Sequence, residues 1–108
     1  GAWTTSKLSL ITDNKERIVI KQHGGVEIKD KLGINTAYPG EDVDLEVKGD
    51  IRFNAKKFSV GDQPPTEGNF NKGDIVYNTD PAQGRFVGWV CINSGNPGIW
   101  KGFGVIEK

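Results

Sequence analysis

The sequence predicts an all-β chain, and three observations carry that reading. Short apolar-polar alternations recur along its length, while no segment holds apolar residues at the spacings of three and four that mark a helix. Turn-forming residues interrupt those alternations every few positions. Most of the aromatic residues gather late in the chain, at Phe70, Tyr77, Phe86, Trp89, Trp100 and Phe103. The first part reads as an elongated β-stalk over residues 3–62, and the remainder, 63–108, as a small antiparallel β knob.

In order, the alternations begin at Leu8 and Leu10 around Ser9. Ile18 and Ile20 then share one face, with Arg17, Val19 and Lys21 on the other. Val26-Glu27-Ile28-Lys29, Leu32-Gly33-Ile34-Asn35, Val43 to Lys48, Ile51-Arg52-Phe53-Asn54 and Phe58-Ser59-Val60 follow the same rule. A period of two over four to six residues is a strand with a dry face and a wet face. The breaks are Thr12-Asp13-Asn14, His23-Gly24-Gly25, Tyr38-Pro39-Gly40, Gly49-Asp50 and Gly61-Asp62. Gln63-Pro64-Pro65-Thr66-Glu67-Gly68 reads as a stiff linker, because two prolines fix φ and remove backbone donors. Beyond it, Ile75–Tyr77, Phe86–Ile92 and Ile99–Lys101 read as strands, with a further run at Phe103–Ile106. Asn, Asp, Gly and Pro between them close tight turns.

Composition bounds the function. At 108 residues the chain holds one domain's worth of structure. Its formal net charge of zero gives it no electrostatic pull toward nucleic acid. No apolar run approaches a membrane span, so membrane insertion is not expected. The single Cys excludes an internal disulfide and a multi-thiolate zinc site. No cofactor or metal is expected. Gly1-Ala2 ahead of Trp3 reads as a cloning remnant on a fragment of a longer protein.

The stalk poses a burial problem. Each of its strands offers one narrow dry stripe, and fixing the backbone of some fifty residues costs on the order of 1–2 kcal/mol apiece. Ile18, Ile20, Val26, Ile28, Leu45, Val47, Ile51 and Phe53 cannot meet that cost within one chain. Their stripes are therefore expected to face other copies, three around one axis, as a triple-stranded β-helix or a β-prism. A closed ring of identical chains also removes the open sheet edges of a lone stalk.

Two motifs add a resemblance. Lys31-Leu32-Gly33-Ile34-Asn35-Thr36-Ala37-Tyr38-Pro39-Gly40, continuing through Val43-Asp44-Leu45-Glu46-Val47-Lys48-Gly49-Asp50-Ile51-Arg52, resembles repeats of bacteriophage tail fibres and tailspikes. Lys72-Gly73-Asp74-Ile75-Val76-Tyr77-Asn78, Pro81-Ala82, Gly88-Trp89-Val90-Cys91 and Gly95 to Gly104 resemble a short module near the C-termini of those proteins. Together they span about residues 31–104. The resemblance implies an intertwined homotrimer on the virion tail and a part in host-cell attachment, with host surface polysaccharide as a partner. It implies no catalytic residue in this stretch, so the chain is not expected to be an enzyme.

Among individual residues, Tyr77, Trp89, Trp100 and Phe103 have two readings. Their faces can stack on the C–H face of a pyranose, or they can form the core of a knob short of other apolar mass. The knob also resembles small chitin-binding modules in its Gly-Asp-led strand and paired Trp. Tyr77, Trp89 and Trp100 are the candidate sugar platform. Cys91, two residues from Trp89 on the same strand face, reads as a small buried hydrophobe. His23 reads as an exposed turn residue, or, brought three times to a trimer axis, as a metal ligand. Glu41, Asp42, Asp44, Glu46 and Asp50 read as a wet strand face, since glycoside hydrolysis needs carboxylates paired in a cleft. Lys29, Lys31, Lys56 and Lys57 read as solvated edge protection.

Overall fold

The computed structural model describes residues 7–108, so residues 3–6 of the expected stalk lie outside the described residues. The described part is all-β, with ten strands and no helix. It divides into two compact units, one ending at Lys48 and one beginning at Gly49.

The N-terminal unit opens with a three-stranded antiparallel meander: β1 (Lys7–Thr12), β2 (Lys15–Lys21) and β3 (Val26–Ile28). Asp13 and Asn14 join β1 to β2 with φ of 53° and 57°. Two successive positive-φ residues make the mirror-image turn whose twist matches a hairpin, and Asp and Asn tolerate it better than other side chains. The register pairs Leu8 with Ile20 and Leu10 with Ile18, then Ile18 with Ile28 and Ile20 with Val26. Directly opposed residues share a face. Six aliphatic side chains therefore form one grid on one side of this sheet.

The other side of the meander is ionic. Glu16 takes Lys7 at 2.7 Å, Lys29 at 3.1 Å and the Ser9 hydroxyl at 2.6 Å. Lys21 pairs with Glu27 at 3.2 Å. Val19 lies in the midst of these groups and is the buried aliphatic residue among the described residues of the unit. The alternation placed it on the wet face. It is dry there because long charged side chains cover apolar surface with their stems while keeping their heads in water.

β4 (Leu32–Ile34) and β5 (Leu45–Val47) form a separate parallel pair, matching Leu32 with Leu45 and Ile34 with Val47. The connection folds back tightly on β4. A Cβ on Gly33 would meet the Thr36 carbonyl oxygen at 2.4 Å and the Pro39 ring at 2.8 Å. Glycine is required there by contact rather than by φ.

The C-terminal unit is one five-stranded sheet in the order β10-β9-β8-β7-β6, with β6 Ile51–Phe53, β7 Lys56–Gly61, β8 Ile75–Asn78, β9 Phe86–Asn93 and β10 Ile99–Val105. The expected boundary at 62/63 moves to Lys48/Gly49, because β6 and β7 are strands of this sheet. Within 63–108 the strands β8, β9 and β10 are antiparallel, as expected, and β7 joins them in parallel, pairing Phe58 with Ile75 and Val60 with Tyr77. A parallel pair requires a long crossover. Residues 62–74, with Pro64 and Pro65, are that crossover and not an interdomain linker. The two last expected strands are one, β10, which continues through Gly102.

Candidate functional site

The two faces of the C-terminal sheet differ, and the crossover makes the difference. On one face lie Val76, Asn78, Trp89, Cys91 and Trp100, joined by the pairings of Val76 with Trp89 and of Cys91 with Trp100. The crossover packs against this face. Phe70 bridges to Gly95 and stands edge-on to Trp100, with ring centroids 5.2 Å apart. The Lys57 ammonium sits over the Phe70 ring, 4.3 Å from its centroid. Val76 and Cys91 are buried here, as expected for Cys91.

Asp74 fixes the end of the crossover. It is buried, and its two carboxylate oxygens accept backbone N–H bonds from Lys57 at 3.0 Å and Asn71 at 2.9 Å. Burial pushes this carboxyl up, but the Asn71 and Lys57 amides and the charges of Lys57 and Arg52 outweigh it. The net effect holds Asp74 below the ordinary carboxylate range. Asp74 is therefore a structural clasp, ionised and fully bonded. Asn78 does the same for the following turn, donating to the Phe86 carbonyl at 2.9 Å and accepting from the Asp80 amide at 2.9 Å.

The expected sugar platform does not assemble as one surface. Trp89 and Trp100 share the crossover side. Tyr77 pairs with Gly88 and points to the other side, where it is exposed. The physical reason is strand parity: Val76, not Tyr77, is opposed to Trp89. The two tryptophans also differ. The Trp100 indole N–H donates to the Pro97 carbonyl at 2.8 Å, and its ring packs on Phe70, so Trp100, half-buried like Trp89, is committed to packing. The Trp89 ring instead lines a half-open cleft of about 430 Å³ together with Phe86, Asp62, Asn78, Asp80, Gly84 and Arg85. Phe103 lies over Gly88 on the side away from the crossover.

The carboxylates of that cleft escaped the sequence reading. Register explains why. Gly61 pairs with Asn78 at the ends of parallel strands β7 and β8, and Thr79 N–H bonds the Gly61 carbonyl at 3.0 Å. The residues just past those ends, Asp62 and Asp80, are thereby brought to one rim. Only the parallel pairing of β7 with β8 reveals this, and that pairing has no local signature in the sequence.

The second face of the sheet carries Ile51, Phe53, Phe58, Val60, Ile75, Tyr77, Val90 and Phe103, and no strand or loop of this unit covers it. Phe53 is 71% exposed, Val60 64% and Tyr77 53%. In the N-terminal unit the aliphatic grid is similarly bare: Val26 is 62% exposed and Leu10 58%. Leu45, on the parallel pair, is exposed as well, while Ile18 and Val47 are half-buried. His23 is exposed in its turn. Of the acidic run, Glu46 bonds the Gly40 amide at 3.1 Å and so ties the loop to β5. No protein-family model, curated protein or solved structure matches this chain.

Proposed function

We propose that this chain is a non-catalytic, trimerising segment of a bacteriophage tailspike or tail fibre, carried on the virion tail and contributing to host-cell attachment. The supporting observation is the uncovered apolar side of its sheets. Ile18, Ile20, Val26 and Ile28 stand together on one grid, Leu45 and Val47 on a second, and Ile51 and Phe53 on a third. An isolated soluble chain rarely displays contiguous apolar surface on this scale. Further copies of the same chain are its natural cover, because a closed ring of identical subunits buries each grid against a neighbour and satisfies the sheet edges. The motifs at residues 31–52 and 72–104 favour the same assignment.

Assembly of this kind links folding to association. The thermal midpoint is expected to rise with protein concentration, because mass action favours the associated state. A midpoint that stays constant over a hundredfold change in concentration contradicts the proposal.

A further inference from the structure

We propose that the cleft beside Trp89 is a binding site for a neutral saccharide, with Trp89 as its stacking face and Asp62, Asp80 and Arg85 as its hydroxyl-bonding groups. The proposal rests on the attachment part of the preceding reading and not on trimerisation. Its first support is the contrast between the tryptophans. The Trp100 N–H is spent on Pro97, whereas the Trp89 N–H bonds nothing among the described residues. No buried side-chain nitrogen or oxygen there lacks a partner, so the half-buried Trp89 presents its donor to water. The second support is that Asp62, Asp80 and Arg85 line the same cleft and make no side-chain hydrogen bond or ion pair among the described residues. Two acceptors and one donor fork are thus unspent around an aromatic ring.

The rim is rigid. Asn78 is buried and bonded at both ends, to the Phe86 carbonyl and the Asp80 amide, so the backbone carrying Asp80 is fixed before any ligand arrives. Phe86 forms part of the wall, with its ring against Gly102, where any Cβ would clash at 2.3 Å. Pyranoses match this chemistry. Their C–H faces pack on an indole, and vicinal hydroxyls donate in pairs to carboxylates. Asp62 and Asp80 are balanced by Arg85 and by Lys108, whose side chain lies against Gly84 of the cleft, so no net positive charge favours uronic or sialic acids over neutral sugars.

The test is an array of neutral and acidic oligosaccharides probed with the full chain and with Trp89→Ala, Asp80→Asn, Arg85→Ala and Trp100→Phe, each checked for native mass and strand signal. Binding of neutral glycans, lowered about tenfold or more by Trp89→Ala and Asp80→Asn but little changed by Trp100→Phe, is the expected result. Asp80→Asn keeps the backbone bond to Asn78, so it reports on the cleft even if Trp89→Ala fails to fold. Neutral-glycan binding that survives Asp80→Asn and Arg85→Ala overturns this site while leaving attachment intact. Binding of acidic glycans alone overturns the ligand class. No glycan bound by protein of correct mass and fold overturns both the cleft and the attachment reading.

Discussion

The two units of this chain handle their apolar residues differently. In the C-terminal unit one sheet face is covered from within, by a crossover that lays Phe70 against Trp100 and clasps its own end through Asp74. Val76 and Cys91 are dry as a result. The N-terminal unit has no such cover. Its meander is two-sided, ionic on one side and aliphatic on the other, and among its described aliphatic residues only Val19 is buried. A sheet with one covered face has a core of its own, whereas a sheet with none depends on what is brought to it. On the proposed reading, the C-terminal unit is the self-supporting part, and the N-terminal unit is expected to take its stability from association.

The largest expected effect is a charge placed on each bare face. Ile18→Asp is expected to abolish assembly and most of the strand signal of the N-terminal unit, because the ionic face and Val19 are then all that hold that meander. Val60→Asp is expected to weaken assembly while the C-terminal unit keeps its folded amide spectrum. Light scattering with NMR distinguishes them, and equal loss of structure in the two variants breaks the comparison.

Next is the clasp. Asp74→Ala leaves the Lys57 and Asn71 amides without their acceptor and is expected to cost about 2–3 kcal/mol in urea unfolding of the C-terminal unit. Val76→Ala, which opens a cavity under the crossover, is expected to cost about 2 kcal/mol. Neither change is expected to alter amide exchange in residues 7–48 beyond what altered assembly produces.

The pH dependence follows from Asp74. Its folded pKa lies below the ordinary 3.8. The stability it contributes is then fully present above that value and is lost as pH falls through the lowered folded pKa. Acid unfolding of the C-terminal unit is expected to begin below about pH 4, and Asp74→Asn is expected to flatten that limb. Glu16 is the smallest case. The Lys7, Ser9 and Lys29 side chains lower its pKa from 4.5 to about 2. Its contribution is present above the ordinary value and lost as pH falls toward 2, but its partners are solvent-exposed. Glu16→Gln is expected to give the least change in midpoint, and high salt to remove it.

Much of the fold was legible because a period of two is a direct readout of strand faces. Ile18 with Ile20 and Val26 with Ile28 fall on one grid, as their spacing required. The turn at Asp13-Asn14 was equally readable from residue type. What escaped depended on pairing between distant segments. Pro64 and Pro65 look the same in a linker and in a crossover, so the boundary was misplaced. The parallel match of β7 with β8 leaves no local signature, and with it went the rim of Asp62 and Asp80. Tyr77 was grouped with Trp89 by chemistry, when the register opposes Val76 to Trp89. The alternation puts Val19 toward water because it cannot show how charged stems shield a neighbour.

The claim that these bare faces meet copies of the same chain is tested most directly by the native mass in solution. Light scattering at micromolar concentration is expected to give three times the 11.8 kDa of the chain. A monodisperse, fully folded species of 11.8 kDa, with slow amide exchange through β2 and β3, would contradict it.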